Sequence, residues 1–169
     1  MLASLHLEDY VDRTLEQLAS DMRASPKSRV GDITLRELAA TVERPNGVYA
    51  FFDESEGGIC LYVGKVSSQS YIARIAMHFD PREKSWMNQF VRKLRDARFP
   101  GHYDGAHSHA IEQYILFLGF LFTEATEDNP KRKERINKLE SILRTYLCPS
   151  LNSRKGICDG SALVGRLLP

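Results

Sequence analysis

Apolar side chains recur through residues 7–24 as Leu7, Tyr10, Val11, Leu15, Leu18 and Met22, the spacing of one helical face. Glu8 and Asp9 fall in the first turn, where the helix dipole favours acids. That stripe must be covered by the main domain or by a second chain. Residues 25–31 read as a loop. Thr34-Leu35-Arg36-Glu37 is a capping-box pattern that opens a short helix, which must end before Pro45. Two helices around a loop invite a helix-turn-helix reading. The loop is long, however, and the second helix has few outward basic or amide groups, so a packing or dimerisation segment fits better.

The pattern then changes. Gly47–Phe52 and Ile59–Val63 are short runs rich in aromatic and β-branched residues, as strands are. The acidic, glycine-containing stretch 53–58 between them reads as a hairpin loop. A helix follows, with Ile72, Ile75, Ala76 and Phe79 on one face and Arg74 and His78, four apart, on another. After a turn at 80–84, Trp86, Met87, Phe90, Val91, Leu94 and Ala97 mark an amphipathic helix. Its polar face carries Arg92, Lys93, Arg95 and Arg98, diluted by Asp96. Such a face is either simply solvated or a set of phosphate contacts. Residues 99–109 look like a loop, and Tyr114–Thr123 like one central strand covered on both faces. Asn129-Pro130 is a helix start. The helix Lys131–Leu147 buries Ile136, Leu139, Leu143 and Leu147, with Ile142 and Tyr146 alongside, and Pro149 stops it.

Composition narrows the function classes without choosing one. A chain of 169 residues with 43% hydrophobic and 27% charged residues suits one soluble domain with a small appendage. No apolar run approaches the roughly 20 residues of a membrane span, and no secretion signal is expected, so a cytoplasmic location is the expectation. With 23 basic and 22 acidic residues the net charge is +1, so any nucleic-acid binding must rely on clustered bases. Cys60, Cys148 and Cys158 form no CxxC pair and read as free thiols. His107 and His109 form an H-x-H without a matching partner and fit a solvated loop better than a metal site.

Glu140 stands out. It sits at the edge of a buried stripe, where a carboxylate seldom lies without a partner. An exposed pair with Lys138 or Arg144 would explain it, and so would a metal. The order of residues favours the second reading. Gly47-Val48-Tyr49, then Tyr62-Val63-Gly64-Lys65, then Arg74 and His78 on a helix, then Glu140 followed by Pro149 and Asn152, resembles the GIY-YIG endonucleases over roughly residues 45–155.

That resemblance implies an α+β fold, a small three-stranded antiparallel sheet flanked by helices. Here it would carry an N-terminal helical extension (1–44), a nuclease domain (45–155) and a C-terminal tail (156–169). It also implies DNA phosphodiester hydrolysis with one Mg²⁺ or Mn²⁺ ion held by Glu140. Oxygen donors suit such a hard cation. Arg74 and Lys65 would stabilise phosphate charge. Tyr62 would be the first candidate base, its phenolate favoured by adjacent cations, with Tyr49 and His78 in the same network. Asn152 would bond the tyrosines or the loop. Gly47 and Gly64 would permit close backbone approach. The 79–139 spacer is longer than the family core needs, and the 45 or so residues before the core leave no room for a separate targeting domain. Dimerisation through the N-terminal helix or a targeting partner would then supply specificity. The alternative is a non-catalytic nucleic-acid-binding or partner-docking protein on the same fold.

Overall fold

The computed structural model describes residues 5–6, 13–39, 47–54, 58–67, 69–117, 120–121 and 130–152. Leu7 to Val11, the end of the second helix before Pro45, Asn129, Cys158 and the tail at 156–169 lie outside them. In chain order the elements are β1 (Leu5–His6), α1 (Leu15–Ala24), β2 (Ser28–Arg29), α2 (Leu35–Ala39), β3 (Gly47–Asp53) and β4 (Ile59–Val66). Then follow α3 (Tyr71–His78), α4 (Gln89–Arg98), α5 (Tyr103–Gln113), β5 (Tyr114–Phe117), β6 (Phe120–Leu121) and α6 (Pro130–Leu147).

The chain is α+β, and β3 is its hub. Every residue of β3 is buried. One edge pairs antiparallel with β4, the other with β5 and, at Gly47, with β6. Short β2 extends the sheet from β5, and β1 runs parallel to β6, so the three-stranded antiparallel sheet expected is corrected to six strands with one parallel pair among the described residues. The single strand expected over 114–123 is thus two, both lying along β3. Two strands from the N-terminal segment join the sheet, so that segment is built into the fold.

Each face of the sheet has its own core. On one, Val48, Ala50, Phe52 and Val63 pack with Leu18, Ala19 and Met22 of α1 and Ile136, Leu139, Leu143 and Leu147 of α6. The apolar stripe of α1 is therefore covered within the chain. On the other face, Tyr49, Phe51 and Tyr62 pack with Tyr71 and Ile75 of α3, Phe90, Val91 and Leu94 of α4, and Tyr103, Ala106 and Ala110 of α5. A bulge sets this division. Phe51 faces Tyr62 but Phe52 faces Cys60, so Leu61 is the extra residue of β4. None of the described helices is long and apolar enough to cross a membrane.

Several local expectations change. The first described helix begins at Leu15, where Thr14 and Gln17 form a reciprocal capping box. The box at Thr34 and Glu37 is present as expected. Residues 103–113, expected as loop in their first half, are α5. Tyr103, Ala106 and Ala110 give it a buried face at helical spacing despite Gly105, and packing outweighs the weak local propensity. On α3 the buried face is Tyr71, Ile75 and His78, while Ala76 is exposed. His78 thus shares the apolar face rather than opposing it. Cys60 and Cys148 are free, and burial pushes the Cys60 thiol up to about 12.

Tyr49 and Gly64 sit opposite each other in the β3–β4 ladder, and the tyrosine ring lies over the glycine. A Cβ at position 64 would come within 2.3 Å of Tyr49 Cζ and Oη. Replacing Gly64 by Ala should therefore force the ring out of place and destabilise the protein by about 1–3 kcal/mol. An unchanged urea midpoint for Gly64→Ala would contradict this packing.

Candidate active site

The chemistry-bearing residues expected from sequence converge at the Gly64 end of β4. Tyr49 comes from β3, Tyr62 and Lys65 from β4, Arg74 and His78 from α3, and Glu140 from α6. The Tyr49 and Tyr62 rings stack at 6.4 Å between centroids. Ser70 caps α3 by accepting from Ala73 N, which fixes where Arg74 and His78 project.

Tyr49 lies between two partners. Arg74 donates from Nε to Tyr49 Oη at 3.2 Å. On the other side Tyr49 Oη meets His78 Nε2 in a short hydrogen bond. Burial, reinforced by Arg74 and Lys93, lowers the His78 pKa to about 3, so the ring is neutral. His78 Nδ1 is buried and has no partner among the described residues.

Burial also decides the tyrosine pKa values. It raises both Tyr49 and Tyr62 above the ordinary phenol value, outweighing Arg74 at each. The expectation that adjacent cations would lower the Tyr62 pKa is thereby corrected for the protein alone. Tyr62 still has the more cationic setting. Arg74 and Arg144 both favour its phenolate, and Lys93 Nζ lies 5.6 Å from its ring centroid.

Glu140 is 8% exposed. One carboxylate oxygen pairs with Lys65 Nζ at 2.9 Å and the other with Arg144 at 2.8 Å. Lys65 is therefore a strand residue reaching across to α6. Arg144 makes the pair weighed from sequence, but Lys65 takes the place offered to Lys138. A carboxylate offers about four lone-pair directions, so two remain beyond these bonds. An oxygen-only donor set of this kind fits a hard cation such as Mg²⁺ completed by water and phosphate. No group of three or more His, Cys, Asp or Glu side chains able to hold a metal occurs among the described residues.

The surroundings carry an excess of positive charge. Lys65, Arg74, Lys93 and Arg144 all act on the Tyr62–Glu140 region, and the repulsion from Arg144 adds to burial in lowering the Lys93 pKa. A cleft of about 210 Å³ opens beside them, lined by Lys65, Val66, Ser67, Gln69 and Arg74. An anion would be favoured there.

The basic face of α4 divides. Arg95 pairs with Glu83 and Asp96, and Arg98 with the buried Asp53 at 2.7 Å. Lys93 turns to Tyr62. Arg92 is exposed and has no ion-pair partner among the described residues. Asn152 touches neither tyrosine. Its side chain accepts from Val63 N at 2.6 Å and donates to Val63 O at 2.9 Å. With Leu151 N on Leu61 O and Ser150 N on Cys60 O, it covers the outer edge of β4. Asn152 thus shapes the site through the strand. His107 and His109 are on α5, where His107 Nε2 donates to Phe79 O and His109 packs on Phe99. Sequence reasoning gave Arg144 no role at the site and missed Tyr71, which packs edge-on against Tyr49. The four-residue step from Glu140 was the available signal for Arg144.

Because the folded protein holds His78 neutral to about pH 3, whereas an unfolded histidine titrates near 6.5, the unfolded chain binds the extra proton between those values. Stability should be fully present above about pH 6.5 and fall as the pH drops toward 3, by at most about 1.4 kcal/mol per pH unit from this residue. Denaturant unfolding across that window should show a shallower acid loss for His78→Asn than for wild type. Parallel profiles would remove His78 as the source. No family model matches this chain, and no curated protein or solved structure matches it.

Proposed function

We propose that this chain is a divalent-metal-dependent endonuclease of the GIY-YIG type acting on DNA. The observation that carries the reading is the meeting of Tyr49, Tyr62, Lys65, Arg74, His78 and Glu140 at one strand end, beside a cleft with excess positive charge. The antiparallel order β4–β3–β5 supports the same family fold.

The residues divide the work. Lys65, Arg144 and Lys93 draw a backbone phosphate to the cleft. Tyr49 and His78 are positioning residues. By accepting from Arg74 Nε, Tyr49 turns the guanidinium so that its terminal nitrogens can meet the oxygens of the phosphate as charge builds. Tyr62, as phenolate, takes a proton from the attacking water. Oxygen then bonds to phosphorus, the phosphorus bond to the sugar oxygen breaks, and that oxygen takes a proton from solvent water, leaving a phosphate monoester and a free hydroxyl. Glu140 would hold the Mg²⁺ or Mn²⁺ ion, which when bound supplies Lewis-acid charge for the phosphoryl oxygen and the leaving group.

One observation favours a second reading. Both Glu140 oxygens already carry protein cations, an arrangement that also suits a nucleic-acid-binding module without catalysis. Dimerisation through residues 1–44 or a targeting partner remains compatible with either reading, although α1 spends its described stripe inside the chain.

Glu140→Gln keeps the shape of the side chain and removes its charge. Nicking of supercoiled plasmid in Mg²⁺ should fall by on the order of a hundredfold or more, while DNA binding in EDTA persists. Undiminished nicking would sink the metal-ligand role. Binding by wild type without cleavage under any divalent cation would establish the second reading.

The acid-base role predicts a pH profile. Since burial holds Tyr62 above its ordinary value of about 10, the phenolate fraction rises about tenfold per pH unit through neutrality. Single-turnover cleavage should climb accordingly, and Tyr62→Phe should abolish both the climb and most of the rate. A Tyr62→Phe enzyme with the wild-type slope would exclude tyrosine as the base.

A further inference from the structure

Between α3 and α4 the chain makes a loop over residues 80–88 that the reaction above does not use. Trp86, at its tip, is 72% exposed. It lines a cavity of about 350 Å³ with Arg82, Lys84, Ser85 and Met87. An indole is costly to leave in water, and here two basic residues flank it. Lys84 has no ion-pair partner among the described residues.

The loop is held from beneath. Asp80 accepts from Arg82 N and pairs with its guanidinium. The buried Asn88 donates from Nδ2 to Arg82 O at 2.7 Å and to Tyr103 Oη at 2.6 Å, while Tyr103 donates to Asp80 O. Ser85 N closes a turn onto Arg82 O. Asn88 does this while its own Oδ1 stays buried without a partner among the described residues. These bonds fix the loop backbone, and a fixed backbone presents the indole at low entropic cost.

The loop also leaves directly from the helix that carries Arg74 and His78 and enters the one that carries Arg92 and Lys93.

We propose that the Trp86 loop is a nucleobase-stacking site. It takes one unpaired base on the indole, with Lys84 meeting a flanking phosphate. Stacking on an exposed aromatic demands a base out of its duplex, whereas the basic neighbours demand a phosphate chain. The proposal rests on the nucleic-acid reading of the main site for its class of ligand, but not on catalysis.

Trp86 is the single tryptophan of the chain, so intrinsic fluorescence reports this position alone. In EDTA, where cleavage plays no part, oligothymidylate should quench that fluorescence, and a blunt duplex of equal length should quench it less. By anisotropy of a labelled oligothymidylate, Trp86→Ala should weaken binding roughly tenfold and Trp86→Phe should restore most of it, while Lys84→Ala should reduce the salt dependence. Unaltered melting of the variants would separate these effects from unfolding. Oligothymidylate that binds by anisotropy without quenching Trp86, or binds Trp86→Ala as tightly as wild type, overturns the stacking site even if the nuclease stands. No binding of any nucleic acid overturns it too. Quenching by oligothymidylate in a protein that never cleaves would leave the stacking site in place and remove the nuclease.

Discussion

Tyr49 lies across β4 because position 64 has no side chain, and the site depends on that close approach. The opposed register of Tyr49 and Gly64 puts the phenol oxygen where α3 can reach it with both Arg74 and His78. The regular register from Tyr49–Gly64 to Phe51–Tyr62 contributes the other half. It puts Tyr62 on the same face as Tyr49, so that two phenols and an imidazole share one apolar wall with Phe51 and Phe90. Asn152 then ties the outer edge of β4 to the chain after α6. The catalytic candidates on α3 and on α6 are therefore registered to the same strand from its two faces.

Charge works against burial at this point of the fold. Desolvation keeps the tyrosines protonated and His78 neutral, while Lys65, Arg74, Lys93 and Arg144 gather around one described carboxylate, Glu140. A cluster of cations is self-repelling, and burial first and then the repulsion from Arg144 lower the Lys93 pKa. An anion in the cleft would relieve the repulsion. The near-zero net charge of the chain conceals this, because Glu83, Asp96 and Asp53 neutralise the cations of α4 elsewhere.

Much of the fold could be read from the chain. The hairpin 47–66 was visible from its two apolar runs and glycine-containing turn. The stripe of α6 was visible because its period and stop signals agree. The sequence pattern of Tyr49, Tyr62, Lys65, Arg74, His78 and Glu140 picked out side chains that the fold brings near one strand end. What stayed hidden depended on tertiary contacts. The first half of α5 looked like a loop because Pro100, Gly101 and Gly105 speak locally, and only packing against α4 speaks for helix. His78 was placed on a face of α3 apart from the apolar one because a helical period cannot say that a buried phenol waits to bond it. Lys65 and Glu140 are 75 positions apart in sequence, and pairing them required knowing that α6 packs against β4.

The resting arrangement also explains why so polar a group can lie in a core. Tyr49 has no exposed surface, yet its oxygen is hydrogen-bonded to Arg74 on one side and to His78 on the other. A phenylalanine at 49 and a leucine at 78 would fill much the same space without these bonds. The fold instead retains a neutral hydrogen-bonded chain that ends on Arg74, a side chain lining the cleft. A chain buried at one end and open at the other is suited to holding a guanidinium rigidly while a charged ligand comes and goes, as the proposed phosphate chemistry would require.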